Sequence, residues 1–215
     1  MVFLGVLRKL TKKLLKQVLG LRFLRRFVFW RIAGSGSMVA ITFDDGPNDI
    51  WTPLVLDILA QYQVRATFFL QANRVEAFPD IARRIAAEGH DIGNHGYDHK
   101  RHDSRVQAAA GDRVLRDFGL RTRFYRPPGG AIGMKEMLWL MGQGFTTVMW
   151  SLDAADSLRE EGKWGGELPD YERVREGDVI LMHDDNATCV RELPQLLQTL
   201  TKKGLLPVTL SRLVQ

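Results

Sequence analysis

Val39-Ala40-Ile41-Thr42-Phe43-Asp44-Asp45-Gly46-Pro47 is an apolar run that stops abruptly at two carboxylates and a turn. Five residues rich in β-branched and aromatic side chains read as a strand, and Asp-Gly-Pro reads as the turn that ends it. Outward from this stretch, further strand-like runs lie at 66–70, 91–94, 123–125, 146–150, 179–182 and 206–210. Amphipathic stretches near 52–61, 79–88, 105–118, 134–142 and 191–203 fall between them. Strand and helix in alternation predict an α/β domain built on a mostly parallel sheet or barrel of about seven strands. In such folds the active-site loops gather at the carboxyl ends of the strands, and the polar clusters of this chain follow strand ends.

The 215 residues, 45% of them hydrophobic, suffice for one sizeable core and do not require two. The single cysteine, Cys189, excludes an intramolecular disulfide and a cysteine-rich zinc site, and without a CxxC partner it reads as structural. The formal charge of +5 is unevenly distributed: residues 1–33 hold nine Lys or Arg and no Asp or Glu. Removing those nine from the 30 basic residues leaves 21 against 25 acidic ones, a mildly acidic body that gives no support to nucleic acid as a partner.

Within 1–33, Phe3, Val6, Leu7, Leu10, Leu14, Val18, Leu21, Leu24 and Val28 recur three or four apart, the stripe of an amphipathic helix with the cations mostly between them. The opening apolar run is far shorter than the ~20 residues a membrane span needs. A basic amphipathic helix instead suits an anionic membrane surface, and the alternative is that its apolar stripe packs on protein. Residues 34–37 read as a short flexible linker, and 38–215 as the α/β domain.

Four clusters offer chemistry. Asp44 and Asp45 are adjacent acids at a strand end, where diverging side chains let one bind a cation and the other face its water. His95 and His99 are four apart, a spacing that brings two imidazoles to one ion, although His102 offers a competing pair with His99. Arg126 precedes Pro127-Pro128-Gly129-Gly130, a rigid turn from which an arginine can orient a carboxylate and a glycine N–H can face an oxyanion. His183 follows the apolar strand Val179-Ile180-Leu181-Met182 and is a candidate general acid, with Asp153 and Asp156 as candidates to tune it. Two imidazoles and one carboxylate leave coordination positions open, as a catalytic ion requires.

In order, TFDDG, HGYDH, RPPGG, WSLDAAD and LMHD resemble the five signature motifs of the polysaccharide deacetylase family, over about 38–215. The resemblance implies a distorted, incomplete (β/α) barrel. It implies Asp44 as base, Asp45, His95 and His99 as metal ligands, Arg126 holding the base, and Asp156 beside His183 as acid. Leu181 would line an acyl pocket, and Gly129 would offer its backbone donor to the substrate. The implied cofactor is one divalent metal ion, with zinc expected. Three positions depart from the family pattern: Gly96 stands where Ser or Thr is common, Gly129 where Tyr is common, and Ser157 where Trp is usual, with Trp150 or Trp164 as possible fillers of that gap.

The expected activity is metal-dependent hydrolysis of an N-acyl group, acetyl or formyl, from an amino sugar. The basic tail argues for a lipid-linked sugar or membrane glycolipid, with soluble or wall N-acetylglucosamine polymers as the alternative and a non-catalytic, membrane-tethered sugar-binding protein as a third reading. The expected location is a peripheral membrane surface, the cytoplasmic face first and the envelope face second.

Overall fold

The computed structural model describes residues 28–100 and 103–215. Residues 1–27, which carry most of the predicted amphipathic helix, and His102 lie outside the described residues. The body is a curled sheet of nine strands: β1 Val28–Phe29, β2 Met38–Asp44, β3 Thr67–Leu70, β4 Asp91–Asn94, β5 Phe124–Tyr125, β6 Thr146–Val148, β7 Leu152–Asp153, β8 Val179–His183 and β9 Leu206–Val208. Its order is β1-β6-β5-β4-β3-β2-β8-β7, with β9 added to β2, and every paired strand runs parallel. The helices are α1 Trp51–Gln61, α2 Ala72–Ala77, α3 Pro79–Ala87, α4 Ser104–Asp117, α5 Met134–Gly142, α6 Asp156–Glu160, α7 Ala187–Lys202 and α8 Leu210–Leu213. The open path of the sheet makes this the incomplete α/β barrel expected, with two short strands, β1 and β7, beyond the seven predicted.

Strand alternation builds two layers. Val39, Ile41 and Phe43 of β2, with Ile180 and Met182 of β8, pack outward against Leu56 and Leu59 of α1 and Leu193, Leu196, Leu197 and Leu200 of α7. Ala40 and Val179 face a separate interior cluster with Phe29, Phe69, Phe124, Val148, Leu210 and Leu213. That cluster fills the interior of the barrel. Above it the interior turns polar, where buried Thr42 and Asp44 share the space with a fully buried Arg126.

The first correction falls on 28–37. Val28, placed by its spacing on a helical stripe, and Phe29 beside it form β1 instead, opposite Thr147 and Val148. The physical reason is local: Phe27-Val28-Phe29-Trp30 is an aromatic and β-branched run suited to a pleated surface, and both side chains are buried there. Arg31 bridges to Asp178 and binds its carboxylate, so this cation belongs to the body. The predicted linker is also tied down, since Ser35 Oγ donates to the Met38 carbonyl and Leu206 N to the Ser37 carbonyl at 2.8 Å. Among the described residues, the sheet therefore extends ten residues ahead of the predicted boundary at residue 38.

A candidate metal centre and its acid–base partners

Sheet register brings the predicted residues to one level. Asp44 lies opposite His183 across β2 and β8, Leu70 opposite Asn94, and Asn94 opposite Tyr125. Asp45, His95 and Arg126 are each the next residue beyond a strand end.

Asp45 Oδ1 lies 3.4 Å from His95 Nε2 and 3.5 Å from His99 Nε2. Tetrahedral coordination with bonds of about 2.1 Å separates ligand atoms by about 3.4 Å, so the spacing fits one small divalent cation. The three ligand atoms all lie within 4.8 Å of one another. His95 is oriented by the Arg126 carbonyl, 2.9 Å from Nδ1, which fixes the proton there and turns the Nε2 lone pair toward Asp45. Gln71 donates to Asp45 Oδ1 at 2.7 Å and steadies the carboxylate from the other side. Burial opposes the charge on Asp45, yet the bond to His95 and the charges of His95, His99 and His183 outweigh it and hold the carboxyl well below its usual range. The backbone bends to achieve this, with φ of 75° at Asp45 and 55° at His99.

Beside this cluster, Asp44 is clamped rather than free. Arg126 Nη1 donates to its Oδ1 at 2.7 Å and to Thr42 Oγ1 at 2.8 Å, while Nε and Nη2 donate to the Val148 and Met149 carbonyls. The guanidinium is stacked over Phe69, 4.2 Å from the ring centre, and near Trp150. Such a buried, fully partnered ion pair leaves Asp44 Oδ2 as the oxygen that faces the cation cluster, 3.7 Å from His95 Nε2.

Across the mouth, His183 meets only one of its two candidate tuners. Asp156 receives the His183 amide on Oδ2 at 2.8 Å and lies 3.0 Å from its Nδ1 through Oδ1. Asp153 instead accepts from the Ala155 amide. Burial pulls the imidazole toward neutrality, but the bond to Asp156 and the charges of Asp156, Asp44 and Asp45 prevail, and its pKa is pushed up to about 10.

The remaining predicted positions are now placed. Leu181 is buried in β8, opposite Thr42 on one side and Asp153 on the other. Gly129 is exposed in the 3-10 turn Pro128–Gly130 with φ of 64°, a conformation that suits glycine where a tyrosine would be strained. Gly96 has φ of +85° and lies against Gln107, whose Oε1 would sit 2.8 Å from an added Cβ, so this loop has no room for Ser or Thr as it stands. Ser157 opens onto the half-buried first turn of α6, Trp150 stands by Arg126, and Trp164 lies in an exposed loop bonded to the Glu167 carbonyl. Cys189 is buried and burial raises its thiol pKa, as suits a structural cysteine.

Sequence reasoning missed the supports. Asn94 ties the Gly96 amide to the Ala108 carbonyl, Gln107 gathers the Tyr97 amide and the Asp98 carboxylate, and Gln71 holds Asp45. Asp184 is buried with its Oδ2 bonded to Thr52 and its Oδ1 without a partner among the described residues, and burial pushes its pKa to about 7. Each of the three amides is an ordinary polar letter in the sequence, and only the adjacency of Asn94 to His95 and of Gln71 to a strand end signalled them.

A parallel half-barrel carries a carboxylate–bis-imidazole cluster at its carboxyl end, flanked by a clamped acid and a carboxylate-backed histidine, which is the donor set that metal-assisted hydrolysis requires. Comparison narrows this. The family described as "Polysaccharide deacetylase" matches residues 31–141. A peptidoglycan-N-acetylglucosamine deacetylase of Bacillus cereus is 32% identical over 206 residues, covering 88% of this chain and 93% of the relative. A chitooligosaccharide deacetylase of Sinorhizobium fredii is 34% identical over 161 residues, covering 71% and 74%. A crystal structure of a peptidoglycan N-acetylglucosamine deacetylase, in complex with 4-naphthalen-1-yl-N-oxidanyl-benzamide, superposes with a TM-score of 0.72 at 34% identity, over 86% of this chain and 91% of that one. The chain belongs to the polysaccharide deacetylase family.

Proposed function

We propose that the protein is a zinc-dependent deacetylase of N-acetylglucosamine polymers, peptidoglycan first and chitooligosaccharide second. The observation that carries this is the Asp45–His95–His99 cluster at ligand spacing with Asp44 beside it. Relatives of both names support the polymer. The lipid-linked sugar expected from the tail finds no counterpart among these relatives, and the polymer takes its place. Asp45, His95 and His99 would hold the divalent cation, which when bound would supply the positive charge that polarises an amide carbonyl and lowers the pKa of water.

The chain's own groups divide the remaining work. Arg126 occupies Asp44 Oδ1, so Oδ2 is the base that takes a proton from the attacking water. The Gly129 amide, on the turn that follows Arg126, serves the oxygen that gains charge. His183, kept protonated by Asp156, hands its proton to the departing amine, so that water and amide become acetate and a free amino sugar. Leu181 lines the space for the acetyl methyl. A wall polymer as substrate sets the protein at a membrane surface on its envelope side, with residues 1–27 meeting anionic lipid.

Acetate release from peptidoglycan and from chitooligosaccharide, measured after chelation and again after zinc is restored, tests this reading. Release that vanishes on chelation and returns with zinc is the expected result. Zinc uptake without acetate release from either polymer, or no zinc uptake, would instead point to a sugar-binding protein.

A further inference from the structure

Because the paired strands run parallel, the molecule has two unlike ends. The cation cluster occupies the end where strands finish. Residues 1–27, with eight Lys or Arg and no acid, join the body at Val28, and β1 runs parallel to β6 with Val28 opposite Thr147. The basic segment therefore joins β1 from the side on which its neighbour β6 begins.

That end is basic in its own right. Arg65 precedes β3, and Arg121 and Arg123 precede β5. Arg212 lies in α8, which is fastened under the strand starts by bonds from Leu210 N to Thr67 Oγ1 at 2.9 Å and from Ser211 N to Asp91 Oδ2 at 2.7 Å. All four arginines are exposed, and none forms an ion pair among the described residues. Arg123 lies over the Phe124 ring at 5.3 Å, and Arg212 reaches only the neutral Gln215. Two hollows of about 690 and 700 Å³ adjoin at His90, the first rimmed by Arg121 and Arg123 and the second by Arg65 and Arg212. Of the acids that rim the hollows, Glu88 pairs with Arg84 and Asp112 with Arg116, while Asp91 accepts the Ser211 amide; Asp178 is taken by Arg31. The four arginines are left without an acidic partner among the described residues.

We propose that the face bearing Arg65, Arg121, Arg123 and Arg212 docks on an anionic lipid bilayer together with the basic segment 1–27, so that the cation cluster points away from the membrane toward its polymer. This rests on the reading of 1–27 as a membrane-surface segment. An anionic leaflet attracts each cation held near it, and a second set of cations on the body converts a single tether into a fixed orientation.

Full-length protein is sedimented with phosphatidylcholine vesicles with and without phosphatidylglycerol. Binding is expected only where phosphatidylglycerol is present. Each of Arg65→Ala, Arg121→Ala, Arg123→Ala and Arg212→Ala should lower partitioning roughly fivefold, and the four together about a hundredfold or more. Acetate release from soluble chitooligosaccharide should stay at the wild-type rate in all of them. Wild-type partitioning of the fourfold variant would overturn the proposal, leaving 1–27 as the whole contact. Displacement from vesicles by inorganic phosphate at matched ionic strength would also overturn it, in favour of a discrete phosphate site. With buried Cys189 shielded from labelling, fluorophores at Thr122→Cys and Glu161→Cys report orientation against a lipid-borne quencher. Stronger quenching at 122 is expected, and stronger quenching at 161 refutes it. Vesicle binding without any acetate release would bring down the deacetylase reading and leave the docking intact.

Discussion

The two ends of the barrel differ in what their residues are selected to do. At the base, Phe29, Phe124, Val179, Leu210 and Leu213 form an apolar plug in ordinary strand and helix geometry. At the mouth, Asp44, Arg126, Asp156 and His95 are buried polar groups, and three of the four non-glycine residues with positive φ among the described residues, Asp45, His99 and Ala155, cluster there. Such backbone conformations cost of order 1–3 kcal/mol each, and buried ion pairs rarely repay their desolvation. Stability should therefore come from the base and be spent at the mouth, and substitutions at the two ends should separate activity from stability.

The largest separation is expected at Asp44→Asn. The amide keeps an oxygen for Arg126, which retains Thr42, Val148 and Met149 as partners, and the cation ligands are untouched. Turnover should fall by about 10²–10⁴, the usual worth of an acid–base group, while zinc content is unchanged. Steady-state acetate release with metal analysis of the same sample decides it, and near-normal turnover would remove Asp44 from its role. The mirror experiment is Phe29→Ala at the base, where loss of a buried aromatic should cost about 3–5 kcal/mol of unfolding free energy. Denaturant titration should show that loss with kcat unaltered in the folded fraction, and a parallel fall in kcat would mean that the two ends are coupled.

These ends were not equally legible in the sequence. The mouth was written in adjacent letters, because residues at successive strand ends fall into short motifs, and the registers of Asp44 with His183 and Asn94 with Tyr125 follow from strands called within a residue or two of their true limits. The base was not. Val28 lies at helical spacing from Leu21 and Leu24, and a strand of two residues is too short to show its own period. Leu152–Asp153 escaped for the same reason. The start of α7 was placed late, at 191, because its signal was the single N-cap Asn186, bonded to the Cys189 amide, and because Pro194 lies inside the helix. Residue chemistry alone left Asp153 and Asp156 both open as partners of His183 and only the family resemblance favoured Asp156; the left-handed turn at Ala155, which aims Asp156 inward, is visible only in the structure.

That choice sharpens the comparison through pH. His183 has a pKa raised to about 10, so its proton is present at neutral pH and is lost as pH rises through that value, and the stability it shares with Asp156 is full below about 6.5 and fades over the same interval. The alkaline limb of kcat/KM should reflect this. In Asp156→Asn the limb should move down by roughly one to three pH units, as expected when an opposite charge at contact distance is removed. A limb that stays in place would assign the protonation to another group.

The smallest effect is expected at Ala155, and its sign is the informative part. Ala155 holds φ of 53° and ψ of 21° as the residue before α6, with its amide on Asp153 Oδ1 at 2.8 Å and its carbonyl receiving Arg159 N at 3.0 Å. A Cβ in the left-handed region costs roughly 1–2 kcal/mol, and glycine removes that cost while adding about 0.5–1 kcal/mol of unfolded-state entropy. Ala155→Gly should thus raise stability by up to about 1 kcal/mol, a Tm increase of roughly 2–4 °C at this chain length. The same change frees the turn that points Asp156 at His183, so kcat should fall severalfold while KM holds. Thermal melting and steady-state kinetics on one preparation test both signs together. A variant that melts lower yet turns over faster would mean that the mouth is not strained for function at this residue.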